Sequence, residues 1–325
     1  MPVPSLIATY RVVRPMFLGG PDQSPELRAA SFKGLLRFWW RAAAWERVGR
    51  SLAKLRESEA TIFGSMAYGQ GALRLRLIPP NRVNLGSAAQ WIPNSWQNYT
   101  AYGLKDAGRS PISHGLTIAA VLTARHDEVL TDRNLSEALK LLGLCGGLGA
   151  RSRNGWGSLT LVSLQGAGTW EAPRTTNSLR SEISSLLSRT ASAIKEPPPY
   201  TAITAEARFT IGVPCQTAEE AHKAMAECYK SAVTGARKED RGQFGLPRRR
   251  DAPLRRVGSG ATGACSSDER RAKPLFMHVH QVDSDSKALP VALYLPSVFT
   301  EAESSIPGGG TAILNFLNTL ERQNP

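Results

Sequence analysis

A glycine-rich segment, GGLGARSRNGWGSL, spans Gly146 to Leu159 and constrains the fold more than any other stretch of the chain. It carries five glycines, the two arginines Arg151 and Arg153, and one tryptophan. Glycine adopts positive φ angles and lets another stretch of backbone come close. Such a loop presents backbone N–H groups, and planar guanidinium groups bind phosphate well. The segment therefore predicts a loop that holds an anionic chain, with Gly147, Gly149 and both arginines as contacts.

The glycine-rich loop does not fit a nucleotide-cofactor motif. It lacks the G-x-x-x-x-G-K-[ST] pattern of a phosphate-binding Walker A loop. Ser152 stands where a G-x-G-x-x-G fingerprint starting at Gly147 requires its last glycine. The loop also follows a predicted helix and precedes a predicted strand, which is the reverse of a dinucleotide site. We therefore predict no cofactor.

Hydrophobic periodicity places a regular series of elements before and after this loop. Period-2 runs predict strands, and a 3.6-residue period predicts a helix. Asn134, with Glu137 three residues later, predicts a capping box at the start of the second helix. The predicted elements are, in order, strand 6–17, helix 32–48, strand 71–79, strand 115–125, helix 134–144 and strand 158–164. This is the split βαβ order of ferredoxin-like folds, which RNA-recognition modules also use.

A second unit follows a break in the pattern at residues 166–199. A strand is predicted over 202–212, and a capping box over Thr217 to Glu220 predicts the start of a helix. Two further strands follow, and a closing helix is predicted over 311–322. The order of the first unit partly restarts, which indicates a degenerate repeat. A chain of 325 residues suits two domains. The predicted class is α+β, with two tandem ferredoxin-like domains, residues 1–165 and 200–325, joined by a linker over 166–199.

The helix predicted from Phe32 to Val48, with Ser31 as its N-cap, has two distinct faces. Phe32, Leu35, Leu36, Trp39 and Ala43 form an apolar stripe. The opposite face carries Lys33, Arg37, Trp40 and Arg41. Cations interleaved with an exposed aromatic suit a nucleic-acid backbone and a stacked base. The alternatives are a solvated basic face, or a protein–protein contact made by the tryptophan.

The overall charge favours a polyanionic partner. The formal net charge is +13, with a pI near 10, so nucleic acid is the first candidate partner and an anionic membrane surface the second. Residues 237–273 concentrate this charge, with eleven Lys and Arg against five Asp and Glu, and include Arg248, Arg249 and Arg250 as candidate RNA contacts. No run of 18 apolar residues and no signal-peptide pattern occurs, so we expect neither a membrane span nor export. Four widely spaced cysteines are typical of reduced thiols in a cytoplasmic protein and do not predict a zinc site.

The titratable residues do not assemble into a catalytic motif. His278 and His280 lie on one face of a predicted strand, where they suit either metal binding or RNA cleavage, but the absence of neighbouring carboxylates or cysteines favours a structural role. Asp22 is a candidate general base, although an isolated loop aspartate usually forms a turn. We therefore predict no catalytic residue and no metal.

Two stretches resemble a known family. SPELRAASFKGLLRFWWRA (Ser24 to Ala42) and the glycine-rich loop are together similar to motifs of the RAMP superfamily of CRISPR proteins, and within it to subunit one of the Cmr (type III-B) effector complex. RRAKPLF (Arg270 to Phe276) resembles the motif of the family's second domain, with Lys273 in place of a small residue.

The resemblance implies tandem RAMP domains that assemble with other Cmr subunits around CRISPR RNA and target RNA, without a membrane. It implies a non-catalytic RNA-binding subunit in antiviral defence. The RNA contacts that it implies are Lys33, Arg37, Arg41, Gly147, Gly149, Arg151 and Arg153. Two alternatives stay open: a metal-independent RAMP endoribonuclease that uses a histidine as general base, and an architectural subunit whose basic face meets an acidic protein.

Overall fold

The computed structural model describes residues 4–20, 24–79, 95–104, 109–166, 168, 170–190, 198–245, 273–282, 287–297 and 310–322. The chain is a mixed α+β protein with two antiparallel sheets. Its first half contains β1 (Leu6–Val12), α1 (Ala29–Ala44), α2 (Leu52–Phe63), β2 (Leu73–Ile78), α3 (Ser95–Thr100), β3 (Thr117–Ala124), α4 (Asp127–Leu130), α5 (Arg133–Cys145) and β4 (Leu159–Gln165). The second half contains α6 (Thr176–Thr190), β5 (Arg208–Ile211), α7 (Ala218–Gly235), a 3-10 helix (Lys238–Phe244), β6 (Leu275–Gln281), β7 (Ala288–Tyr294) and α8 (Gly310–Arg322).

The first sheet has the strand order β2-β3-β1-β4, and all three pairings are antiparallel. This is the order expected from a split βαβ sequence. Alternate residues of β1 are buried, and α1 and α5 pack against each other on that side of the sheet. The Tyr10 hydroxyl donates to the carbonyl of Leu139 at 2.8 Å, and its ring meets Phe32 edge to face. The apolar stripe of α1 thus faces the core, as predicted.

Two predicted helix starts are wrong. α1 begins at Ala29, and Ser31 lies inside its first turn. α5 begins at Arg133, because the Asp132 carboxylate accepts a hydrogen bond from the Asn134 amide at 2.6 Å and so caps the helix. Glu137 does not reach back to a cap. Its carboxylate is buried and pairs with Arg47 at 2.6 Å and with Arg133 at 2.9 Å.

Two other predicted helix ends are confirmed. The Thr217 hydroxyl accepts from the Glu220 amide, and the Glu220 carboxylate accepts from the Thr217 amide, which is a complete capping box at the start of α7. Gly146 ends α5, and its N–H bonds to the carbonyl of Leu142. The glycine-rich loop therefore starts where the sequence predicts.

The second sheet has the order β5-β7-β6, and its strands β6 and β7 are buried on both faces. Leu275, Met277 and Val279 pack with α7 and α8, whereas Phe276 belongs to the core of the first sheet. The strand predicted over 202–212 shortens to Arg208–Ile211. The amides of Ala202 and Ile203 bond instead to the carbonyls of Pro296 and Ala42, outside any sheet ladder.

Residues 166–199 contain the helix α6. Leu179, Ile183 and Leu186 of this helix are buried in the same core as the first sheet. Lys140 of α5 lies 3.3 Å from Glu182 of α6. This segment therefore packs on the first unit along the length of a helix. Among the described residues, no helix is both long enough and apolar enough to cross a bilayer.

The two sheets meet along β6. Its free edge donates three alternate backbone amides to the first unit: Met277 to the Arg153 carbonyl at 3.2 Å, Val279 to the Ser158 hydroxyl at 3.0 Å, and Gln281 to the Thr160 hydroxyl at 3.1 Å. The acceptors come from β4 and from the glycine-rich loop that precedes it. The loop is thus part of the junction between the two units.

Candidate nucleic-acid interface

The glycine-rich loop folds tightly on itself and on the segment after β1. Gly149, Gly155 and Gly157 have φ angles of 98°, 90° and 63°. A Cβ atom at Gly157 would lie 2.0 Å from the carbonyl oxygen of Leu148, a distance that only glycine permits. The glycines therefore serve close packing of the protein backbone, in addition to any role in binding an anion.

Arg153 is enclosed in the junction. Its guanidinium carbon lies 4.6 Å from the ring centre of Phe276 and 5.1 Å from that of Phe38, and Nη1 donates to the carbonyl of Lys273. Burial lowers the pKa of Arg153 from 12.5 to about 10. The cation is stabilised by two aromatic faces. Arg153 is therefore a partly buried cation that joins the two units, and its phosphate contact stays a prediction.

Trp156 also lies inside the junction, in contact with Trp96, His222 and Arg14. Its ring is fully buried, stacks parallel to Trp96 and meets His222 edge to face. The guanidinium carbon of Arg14 lies 5.7 Å from the Trp156 ring centre, and burial lowers the Arg14 pKa to about 10. The tight contact between Gly155 and His222 explains the glycine at that position, but no sequence pattern marks the partner.

The hydrogen bonds of His222 define its protonation state. Nε of Arg14 donates to Nδ1 of His222 at 3.2 Å, so Nδ1 accepts. Nε2 lies 2.7 Å from the carbonyl oxygen of Asn154 and therefore donates. This is a neutral imidazole, and burial lowers the His222 pKa to about 3.

Arg151 is the exposed cation of the loop. Its Nε and Nη2 donate to the carbonyl of Tyr102 at 3.0 and 2.6 Å, and its φ angle is 59°. The Tyr102 ring is 70% exposed. An exposed aromatic beside an exposed guanidinium is a surface suited to nucleic acid. The sequence analysis did not select Tyr102, although the residue belongs to an aromatic-rich stretch.

The basic face of α1 is partly neutralised inside the protein. Arg37 forms a salt bridge with Glu59 of α2, and Nε of Arg41 lies 3.6 Å from the other carboxylate oxygen of Glu59. The side chains of Arg37 and Arg41 keep 34% and 40% of their surface exposed, whereas Glu59 is buried. Burial, and next the charge of Arg37, lower the pKa of Lys33. The three cations predicted as one stripe therefore lie together at the surface.

The prediction that Trp40 is exposed is wrong. The residue is 1% exposed, its Nε1 donates to the Asp132 carboxylate at 3.0 Å, and its ring meets Phe63 edge to face. The N-terminal end of α5 and the C-terminal end of α2 cover this flank of α1. A base therefore has no access to the Trp40 ring.

His278 and His280 share one face of β6, as predicted, and that face is turned into the protein. Both are fully buried, and Nδ1 of His278 lies 2.7 Å from the carbonyl oxygen of Gly146. Burial lowers their pKa values to about 4 and about 3. Neither side chain is accessible to RNA. The two histidines considered for RNA cleavage are therefore internal residues. The described residues contain no cluster of three potential metal ligands.

The remaining predicted contacts divide into two groups. Gly147 and Gly149 lie in the described loop, where Gly147 bridges to Ser158. Outside the described residues lie Asp22 and most of the basic insert, including Arg248, Arg249 and Arg250. Arg74 and Arg76 are exposed on β2 and form a further basic face.

Comparison with known proteins finds relatives of part of the chain and of its fold. Residues 9–160 match the model of the RAMP superfamily. It is similar to the CRISPR system Cmr subunit Cmr1-1 of Pyrococcus furiosus, with 32% identity over 146 residues that cover 42% of this chain and 41% of that protein. It is also similar to Cmr1-2 of the same organism, with 42% identity over 60 residues that cover 18% of this chain and 32% of that protein. The alignments thus span less than half of each curated relative.

Solved structures match nearly the whole fold. The crystal structure of Cmr1 from Pyrococcus furiosus in its apo form superposes with a TM-score of 0.67 at 20% identity, covering 97% of both chains. A chain of the type III-B Cmr-beta complex bound to cognate target RNA and AMPPnP superposes with a TM-score of 0.67 at 14% identity, covering 98% of both chains. The shared fold therefore extends beyond the region of detectable family similarity.

Proposed function

We propose that this protein is an RNA-binding subunit of a type III-B CRISPR ribonucleoprotein that helps to bind CRISPR RNA and to capture target RNA in antiviral defence. The observation that carries the proposal is the similarity of 146 aligned residues to Cmr1-1, together with a fold shared along the chain with Cmr subunits. The other Cmr subunits and the two RNAs are its proposed partners, and the cytoplasm is its proposed location.

The charge distribution supports RNA as the ligand. The chain carries a net charge of +13, and several exposed cations lie outside the internal ion pairs. In the described part of the chain we assign two groups of RNA contacts. One group is Lys33, Arg37 and Arg41 on α1, and the other is Arg151 with the adjacent Tyr102. Gly147 and Gly149 contribute backbone, and Arg248, Arg249 and Arg250 extend the assignment into the insert. Arg153 and Trp40 act instead by holding these surfaces in place.

We also propose that both units are ferredoxin-like RAMP domains, the second of them degenerate. The first sheet has the required strand order. The second unit also has an antiparallel sheet flanked by α7 and α8. Among the described residues this sheet has three strands, one fewer than the first sheet. The domains extend over 1–165 and 200–325, and α6 lies in the connection between them.

RNA binding is tested with the full chain and a labelled single-stranded CRISPR RNA at several salt concentrations. Phosphate contacts make log K fall linearly with log salt, by about 0.7 for each phosphate neutralised on a single strand. Arg151→Gln should reduce both affinity and this slope for all sequences alike. The exchange Arg322→Gln, at the far end of α8, provides the control for net charge. Absence of RNA binding, alone and with the other Cmr subunits present, would refute the function.

The same RNA serves to separate binding from catalysis and from pure architecture. A binding subunit leaves the RNA intact during incubation with or without EDTA, and cleavage by the pure protein would favour the endoribonuclease. Co-purification with the other Cmr subunits after nuclease treatment, with no RNA bound before it, would favour the architectural alternative.

A further inference from the structure

A pocket of about 270 Å³ lies between α1, α2 and the segment that leads into β5. Its walls include residues of both helices and one tyrosine: Phe38 and Arg41 of α1, Leu55, Arg56 and Glu59 of α2, and Tyr200. The spacing of three and four residues on each helix brings these side chains onto facing sides. The volume is slightly below the roughly 300 to 1,000 Å³ of whole small-ligand pockets, and so suits one unit of a longer chain.

One wall of the pocket is aromatic and aliphatic, and its rings are held from behind. The Tyr200 ring packs edge to face on Trp45, with 5.2 Å between ring centres. The guanidinium carbon of Arg153 lies 5.1 Å from the centre of the Phe38 ring, and this ring also packs on Phe276. The glycine-rich loop therefore supports this wall without lining it.

The other wall is cationic. Arg41 and Arg37 share the single carboxylate of Glu59, and Arg56 is exposed and forms no salt bridge with any described residue. Two guanidinium groups thus share one buried carboxylate and a third, Arg56, lines the same pocket, which leaves an excess of positive charge at the mouth. Guanidinium groups with this freedom bind phosphate in preference to a neutral ligand.

The Tyr200 hydroxyl is a polar group of the pocket that no described residue uses. It is buried and has no hydrogen-bond partner among the described residues. Burial, followed by opposing effects from the charges of Arg41 and Glu59, raises the Tyr200 pKa. The hydroxyl therefore stays protonated and lies close to both charged groups. Buried hydroxyls in proteins are normally satisfied, and a ligand in the pocket would supply the partner that this one lacks.

We propose that this pocket binds one nucleotide of an RNA strand. The base packs against Phe38 and Leu55, a polar group of the base or ribose pairs with the Tyr200 hydroxyl, and the flanking phosphate lies between Arg41 and Arg56. The inference rests on the proposed RNA-binding function and adds a site that the glycine-rich loop does not contain. RNA is favoured over an acidic peptide because an aromatic wall beside a cationic one matches a base beside its phosphate.

Tyr200→Phe and Arg56→Gln test the pocket, with Arg322→Gln as the charge control. Tyr200→Phe removes the unpaired hydroxyl and keeps the ring, so thermal stability should be unchanged or raised while RNA affinity falls by about 2- to 10-fold. Arg56→Gln should lower the salt slope by about 0.7. RNA substituted with 4-thiouridine should crosslink to the peptides that contain Tyr200 or Phe38.

The outcomes separate this site from the function on which it rests. If the wild-type chain binds RNA and both pocket variants bind like Arg322→Gln, the pocket is refuted and the function stands. If the wild-type chain binds no RNA, the pocket assignment and the proposed RNA-binding function are both refuted. Crosslink protection by free uridine or adenosine monophosphate at concentrations that leave RNA binding intact would identify a free nucleotide as the ligand. Protection by an acidic peptide alone would overturn the nucleotide assignment.

Discussion

The guanidinium carbon of Arg153 lies 4.6 Å from the ring centre of Phe276, so the glycine-rich loop of one unit is fastened to the sheet of the other. All three stretches that resemble the RAMP family meet at this contact, since Phe38 of α1 packs against the same cation. The loop is therefore a structural junction as well as a candidate RNA contact.

Arg153→Ala should destabilise the fold more than Arg151→Ala. The first change removes a cation packed between two rings and a hydrogen bond to a backbone carbonyl, which together contribute roughly 2 to 3 kcal/mol. Arg151 is exposed, so its replacement should cost less than about 1 kcal/mol. Urea denaturation of both variants measures the difference. Equal free energies of unfolding would contradict the enclosed position of Arg153.

Gly157→Ala tests whether backbone proximity requires the glycine. A Cβ would meet the Leu148 carbonyl oxygen at 2.0 Å, so we expect a loss of roughly 3 kcal/mol from overpacking and backbone strain. Gly115 has a similar positive φ of 87° and open space around it, and Gly115→Ala should cost only about 1 to 2 kcal/mol. Thermal denaturation of the matched pair isolates the contact, because both variants share the strained φ. A similar loss in both would attribute the effect to φ alone.

Trp40→Phe should act on stability and leave RNA affinity unchanged. The exchange removes the hydrogen bond to Asp132 and part of a fully buried ring, which costs about 1 to 3 kcal/mol. Arg41→Gln, one residue along the same helix, should show the converse, with weaker RNA binding and a smaller change in stability. Denaturation and RNA titration of both variants check this. A loss of affinity in Trp40→Phe at full folding would restore Trp40 as a stacking residue.

Stability should fall as the pH is lowered from about 6.5 towards 3. His222, His278 and His280 have folded-state pKa values of about 3, 4 and 3, below the usual 6.5. The unfolded chain therefore binds more protons across this window, and each histidine lowers the free energy of unfolding by up to about 1.4 kcal/mol per pH unit. Urea denaturation between pH 7 and pH 5 measures the slope. His222→Gln should reduce it by up to about one proton.

The sequence predicted those features that neighbouring residues control. The 3.6-residue period of α1 identified its buried stripe, and Thr217 with Glu220 identified the start of α7, because periodicity and capping depend on residues a few positions apart. The order of strands and helices likewise predicted the pairing of the first sheet. At Asp132 the same reasoning placed the cap two residues late, since several polar residues there compete for one helix end.

Accessibility was decided by the tertiary structure alone. Trp40 and Arg41 are adjacent on one helix, yet α5 and α2 cover the first and leave the second at the surface. Arg151 and Arg153 are two residues apart in one loop, yet only Arg153 meets the rings of Phe38 and Phe276. Which side of an element is covered depends on partners that lie far away along the chain, such as Asp132 for Trp40 and Phe276 for Arg153. The sequence by itself thus determined where the basic and glycine-rich elements lie, and the packing of the two units determined which of their side chains remain available to RNA.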